Sequence, residues 1–166
     1  PAGPFPFVRL RGEVALVGLA SAIPSPPLCA YGRLGAEQRS VFRHLLLAPA
    51  ISKRFVVTLI HHPPYNPSSP LKTLRNGLHD ADELRASFTG PALVLHGHLH
   101  KRIVQGDASG VLSCGATSAS LVNEHPDQRA GFNLYEIDGH GLRESRAVVL
   151  GEGGAFSEHP LPNPVG

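Results

Sequence analysis

The sequence has no methionine, no tryptophan and only two cysteines among its 166 residues. Cys29 and Cys114 lie far apart and lack the paired spacing of a zinc knuckle, so we expect neither a disulfide framework nor a cysteine-ligated metal site. The opening residues, Pro1-Ala2-Gly3-Pro4, do not have the pattern of a signal peptide. These absences predict a reducing compartment, and we expect a cytoplasmic protein.

Long hydrophobic runs and blocks of like charge are also missing. No apolar run reaches the length that spans a membrane. Lys and Arg number 15 against 13 Asp and Glu, a net charge of +2 with histidine neutral. Without a basic block there is no electrostatic basis for nucleic-acid binding. The length and the 42% hydrophobic content suit one domain with a real core, and we assign it to residues 1–150, followed by an irregular tail over 151–166.

Short apolar runs alternate with helical patterns along the chain, which predicts an α/β fold. We predict strands near 7–11, 13–19, 54–60, 92–95, 131–137 and 142–150, a hairpin over 101–114, and helices over 36–47 and 81–88. Residues 66–76 are rich in proline and serine and predict a long loop. Asp80 is the expected N-cap of the second helix, with Glu83 at N3.

Histidines follow one of these strands directly. His96-Gly97-His98-Leu99-His100 comes after Ala92–Leu95, at the strand end where open α/β sheets place their chemistry. Alternate side chains on extended backbone point the same way. His98 and His100 should then face one site, with Cα atoms roughly 6.6 Å apart at about 3.3 Å rise per residue. The simpler alternative is a solvated, histidine-rich turn.

A second histidine pair has the same context. His61-His62-Pro63-Pro64 follows the β-branched strand over 54–60. Pro63 favours extended backbone at His62, so His61 and His62 should point to opposite sides and only one should bind metal. Two strand-end clusters suit two metal ions about 3.5–4 Å apart. For this pair too, a polar turn is the alternative.

These motifs resemble a known family. Strand-His61-His62-Pro63-Pro64, followed by strand-Gly97-His98-Leu99-His100, resembles the C-terminal half of the calcineurin-like metallophosphoesterases, in the branch of cyclic-nucleotide and glycerophosphodiester phosphodiesterases. Pro6-Phe7-Val8, Gly32-Arg33-Leu34 and Gly131-Phe132-Asn133-Leu134-Tyr135 are similar to that branch as well. The resemblance extends to about residue 150 and implies the C-terminal half of a four-layer α/β/β/α sandwich.

The resemblance also implies a function. The family holds two divalent metal ions, Mn, Fe or Zn, and hydrolyses phosphate esters. His61 and His98 would ligate one ion and His100 the other, while His62 would contact these ligands without binding metal itself. The substrate would be a small phosphomonoester or phosphodiester. No residue of this chain is assigned as a catalytic acid or base.

The motifs of the family's N-terminal half, Asp-x-His, Gly-Asp-x-x-Asp and Gly-Asn-His-Asp/Glu, are absent here. We therefore expect an enzyme only if a missing N-terminal half is supplied, in the same or another chain. The alternative is a non-catalytic module or fragment that binds a single metal or pairs with a complementary chain. A histidine-rich metal buffer is less favoured, because such a protein needs no ordered strand pattern.

Overall fold

Nine strands and four helices make up a mixed α/β fold in the computed structural model, which describes residues 5–161. The strands are β1 Phe7–Arg11, β2 Val14–Gly18, β3 Phe55–Ile60, β4 Ala92–His96, β5 Val104–Gly106, β6 Val111–Gly115, β7 Gly131–Asp138, β8 Gly141–Leu150 and β9 Phe156–Pro160. The helices are α1 Gly35–Leu47, α2 Pro49–Ser52, α3 Pro70–Asn76 and α4 Ala81–Arg85.

The larger sheet has six strands in the order β1-β2-β3-β4-β6-β5. Its four central strands run parallel, and β1 and β5 are antiparallel strands at its two edges. Ile60, the last residue of β3, pairs with His96, the last residue of β4. The two strands therefore end side by side at the same edge of the sheet, and this register brings the two histidine motifs together.

Helices pack on one face of this sheet and a second sheet packs on the other. Side chains of α1, α2 and α4, among them Phe42, Ile51 and Leu84, form one core with residues of the strands. On the opposite face Val57, Leu93 and Cys114 pack against the three-stranded antiparallel sheet β7-β8-β9. The described residues thus form three layers, and each central strand is covered on both faces. This explains why β2, β3 and β4 have nearly continuous apolar sequences.

The predicted central strands, the first helix and the β5–β6 hairpin are confirmed. Residues 66–76 are not all loop as predicted, because 70–76 form α3. Ser69 caps this helix by accepting a hydrogen bond from the Lys72 amide, and Pro70 occupies the first turn. Both signals are local, so this helix could have been predicted from the sequence.

Asp80 occupies the N-cap position of α4, as predicted, but its side chain does not cap this helix. Helix α4 is shorter than predicted and has no side-chain cap. The Asp80 carboxylate instead accepts hydrogen bonds from the amides of Leu34 and Gly35 at the start of α1 and pairs with Arg39. The partner is 46 residues away, which local sequence patterns do not reveal.

The predicted irregular tail contains a strand. β9 pairs antiparallel with β8 over Arg146↔Pro160 to Leu150↔Phe156, and Leu161 beyond it is buried. All five residues of β9 are exposed, so its sequence has no apolar alternation to predict it. The prediction for residues 162–166 lies outside the described residues. Among the helices described, none is long and apolar enough to cross a membrane.

Candidate metal centre

The two histidine motifs meet at the C-terminal ends of β3 and β4. The amide of Gly97 donates to the carbonyl of His61 across 3.2 Å, which holds the two chain exits side by side. The ring nitrogens of His61, His62 and His98 all lie within 4.8 Å of one another. The structure thus brings together three of the histidines that the sequence singled out.

The closest approach is between His61 and His98. Nε2 of His61 lies 3.2 Å from Nδ1 of His98. The Nε2 of His98 lies 2.9 Å from the carbonyl oxygen of Asn76. A carbonyl only accepts hydrogen bonds, so Nε2 of His98 carries its proton and a neutral ring leaves the Nδ1 lone pair facing His61.

This arrangement fits two ligands of one metal ion. Two nitrogens bound tetrahedrally at about 2.0–2.1 Å lie roughly 3.3–3.4 Å apart, close to the separation of these two atoms. Burial, followed by the neighbouring His61 and His100, lowers the pKa of His98, although the Asn76 carbonyl opposes this. A lowered pKa keeps the ring neutral, the form that binds metal.

His62 has a different environment because both of its ring nitrogens are occupied. Nδ1 lies 2.8 Å from the Ser21 hydroxyl and Nε2 lies 3.0 Å from the Ala30 carbonyl. The ring packs so closely on Gly32 that a Cβ there would lie 2.4 Å from Nδ1. Burial lowers the pKa of His62 to about 4. His62 could bind metal only by giving up one of these hydrogen bonds, so it suits a supporting position.

The prediction that His61 and His62 point to opposite sides is wrong. Their ring centroids are 5.0 Å apart, edge to face, and the centroid of His62 is 4.3 Å from that of His98. The strand ends at Ile60, so strict alternation no longer applies to these two residues.

His100 lies outside the three-histidine group, although its charge contributes to the lowered pKa of His98. The extended backbone assumed for His98 and His100 is also wrong. Both have left-handed backbones, with φ of 63° and 49°. Non-glycine residues adopt this conformation infrequently, so the spacing alone could not predict it. His100 is exposed beside the group rather than aligned with His98.

His96 is a buried histidine to which the sequence analysis assigned no role. Burial lowers its pKa to about 4, and Nε2 has no hydrogen-bond partner within residues 5–161. The ring rests on Gly115, where a Cβ would lie 2.8 Å from Cε1. The neighbouring His98 and His61 also lower the pKa of His96, so its ring stays neutral.

Sequence reasoning missed Ser21, Ala30 and Asn76, the partners that orient the rings. They lie 41, 32 and 22 residues from the histidines they contact. Two of these three contacts are made by backbone carbonyls, which carry no residue signature. No local sequence pattern could have identified them.

Only histidines form this group in the part of the chain that the structure describes. A comparison with models of protein families found none that matches the chain. A comparison with curated proteins found no similar one. The function is therefore inferred from the geometry of the histidines and from the resemblance of their motifs.

Proposed function

We propose that this chain supplies histidine ligands to the metal centre of a phosphoester hydrolase of the calcineurin-like type. The observation that carries the proposal is the 3.2 Å approach of His61 Nε2 to His98 Nδ1, at the ends of two adjacent parallel strands. His61 and His98 would hold one divalent ion, and His100 a second. Imidazole ligands suit Zn, Fe or Mn when carboxylates complete the set.

The layers of the fold support the same proposal. Phe132, Leu134 and Phe156 lie on the outer face of the three-stranded sheet and are exposed. A further helical layer on this face would bury them and complete a four-layer α/β/β/α sandwich. We infer that the missing carboxylate ligands come with that additional part, in the same or another chain.

The chain's own residues would orient the ligands and leave the chemistry to the ion. When bound, the divalent ions would polarise the ester and lower the pKa of a bound water. Asn76 holds the proton of His98 on Nε2, which leaves Nδ1 free to bind. His62, fixed by Ser21 and Ala30, packs against both His61 and His98 and restricts their rings. Such supporting contacts typically change metal affinity by about 10–100-fold.

A single-metal, non-catalytic module is the second candidate. It is favoured by one observation, the absence of any carboxylate from the histidine group within the described residues. Three imidazoles can hold one zinc ion, but a two-metal centre needs further ligands. This module would bind metal without hydrolysing phosphate esters.

The test measures intact mass, metal content and hydrolysis of bis(p-nitrophenyl) phosphate on one preparation of the full-length protein. About two metal ions per chain with hydrolysis support the hydrolase. About one metal ion without hydrolysis supports the module. His98→Ala should reduce both metal content and hydrolysis to background, because it removes the Nδ1 ligand.

The matched control is His140→Ala, which removes an exposed histidine from the β7–β8 turn. This variant should keep the metal content of the unaltered protein. Metal content and hydrolysis that survive His98→Ala would contradict the proposed centre.

A further inference from the structure

A cavity of about 350 Å³ lies beside the candidate metal centre. Its walls come from the segment after His62, from α3 and from the chain between β4 and β5. Ligand pockets typically measure about 300–1,000 Å³, so this one has room for a single ring or a short chain. The histidine chemistry described above does not use this space.

The cavity and the metal centre share their walls. Asn76 lines the cavity, and its carbonyl accepts the hydrogen bond of His98. Pro63 and Leu99 also line it, and they directly follow His62 and His98 in the chain. A group bonded to a phosphate at the histidines would therefore reach into this cavity.

The walls combine apolar surface with unused polar groups. Pro63, Leu99 and Ile103 give an apolar surface, and Leu99 is 44% exposed despite its size. The side chains of Asn76 and Gln105 make no hydrogen bonds within residues 5–161 and are free to bind a ligand. By contrast, the Asn66 side chain is held by Leu78, because its nitrogen donates to the Leu78 carbonyl and its oxygen accepts from the Leu78 amide.

The charge of the walls is positive. Lys72 lines the cavity and makes no ion pair with any other described residue. No acidic side chain is among the described lining residues. The nearby Asp107 is engaged by the hydroxyls of Tyr65 and Ser109. A cationic group placed here would lack a counter-ion, whereas an uncharged group needs none and an anionic group would pair with Lys72.

We propose that this cavity binds the organic group of the phosphate ester, and that it selects an uncharged or anionic group with an apolar face over a cationic one. This inference rests on the proposed function, because the phosphate itself must bind at His61 and His98. Gln105 and Asn76 would hydrogen-bond to the organic group, and Lys72 would exclude cations. The substrate class is then an ester of a compact, non-cationic alcohol.

The experiment compares inorganic phosphate, phenyl phosphate and phosphocholine as ligands of the full-length, Mn²⁺-loaded protein by titration calorimetry. Inorganic phosphate occupies only the metal centre, so it is the reference. Phenyl phosphate should bind on the order of tenfold more tightly than phosphate, because its ring is buried in the cavity. Phosphocholine should gain nothing over phosphate.

Gln105→Trp fills the cavity from the exposed edge strand β5 and should bring the ratio of phenyl phosphate to phosphate affinity close to one. The matched control Ala108→Trp adds the same bulk at the exposed turn between β5 and β6 and should keep the ratio. A ratio that survives Gln105→Trp, or no gain from phenyl phosphate in the unaltered protein, would overturn the inference.

Lys72→Glu tests the charge directly. It should raise the affinity for phosphocholine relative to phenyl phosphate, since the cation then finds a counter-ion. Lys53→Glu makes the same charge change at an exposed residue after α2, away from the cavity. It should leave the affinity for phosphocholine relative to phenyl phosphate unchanged. If Lys72→Glu leaves these relative affinities unchanged, Lys72 does not exclude cations from the cavity.

Failure of the proposed function gives a different result. In that case inorganic phosphate itself would not bind, and both proposals would fall. Failure of this inference alone would leave phosphate binding intact without discrimination among the organic groups.

Discussion

Ser21 and His62 form a buried pair whose effect on the site is indirect. The Ser21 hydroxyl lies 2.8 Å from Nδ1 of His62, and both residues are almost fully buried. Because Nε2 of His62 donates to the Ala30 carbonyl, Nδ1 of the neutral ring accepts from Ser21. The Ala30 carbonyl therefore fixes which nitrogen carries the proton, and the Ser21 contact helps to fix how the ring lies against His61 and His98.

We predict that Ser21→Ala lowers the free energy of unfolding by about 1–3 kcal/mol, because it leaves Nδ1 of His62 buried without a donor. Urea unfolding measures this directly. The control Ser25→Ala removes an exposed hydroxyl that donates to the Cys29 carbonyl. Ser25→Ala should change the free energy of unfolding by no more than about 0.5 kcal/mol, as surface substitutions usually do. Equal losses in the two variants would contradict the role assigned to Ser21.

At the scale of single residues, the sequence located the candidate ligands better than the residues that orient them. The position of His61 and His98 follows from apolar strands that end one and two residues before them, which is local information. The roles of Ser21 and Asn76 depend on contacts across 41 and 22 residues. The left-handed backbone of His98 and His100 was not predicted either, because the tight turn after β4 overrides the ordinary preference of these residues.

At the scale of the elements, Asp80 joins the start of α1 to the segment that precedes α4. Its carboxylate accepts from two backbone amides and pairs with Arg39, while being only 4% exposed itself. The free amides at a helix start need acceptors, and here the acceptor comes from a distant part of the chain. The α1 helix and the segment around Leu78 are thus held together.

We predict that Asp80→Ala costs about 3 kcal/mol of unfolding free energy, the lower end of the range for breaking a buried ion pair, since Arg39 keeps some access to water. Thermal and urea unfolding should both show the loss. The control is Asp82→Ala, which removes a carboxylate that is 86% exposed and pairs with Arg85. That pair should contribute less than about 1 kcal/mol. A small effect of Asp80→Ala would show that α1 does not need this cap.

The strands that are buried on both faces could be predicted from the sequence. β3 and β4 are covered on both faces, so their sequences are continuously apolar and their positions could be predicted. β9 is held to β8 by backbone hydrogen bonds and an exposed ion pair between Glu158 and Arg146, and it exposes every side chain, so its sequence carries no such signal. The position of Asp80 at the start of α4 was predicted, but the partner of its side chain was not, because an aspartate has the same sequence signature whether it caps its own helix or another.

At the scale of the whole molecule, the three-stranded sheet has two unlike faces. Tyr135 and Ile137 point toward the six-stranded sheet and pack in its core. Phe132, Leu134 and Phe156 lie on the other face and are 50%, 39% and 64% exposed. Three large apolar side chains exposed on one face favour association, and the ion pairs of Arg146 with Glu136 and Glu158 lie among them.

We predict that the 166-residue chain self-associates through this face and that the double variant Phe132→Ser, Leu134→Ser weakens the association. Sedimentation velocity over a range of concentrations measures it. The control Val122→Ser removes an isolated apolar side chain that is 95% exposed in a loop, and it should leave the association unchanged. Association that the double variant does not alter would assign it to another surface.

The strand order of the larger sheet has a consequence for how the chain folds during its synthesis. β1, β2, β3 and β4 lie in the sheet in the order in which a ribosome would synthesise them, and only β5 must wait for the later β6. Each new strand therefore finds its neighbour already in place, which shortens the search that makes parallel pairing slow. The candidate metal centre, by contrast, must wait for β4, because His98 lies 37 residues after His61 and emerges only once that strand is complete.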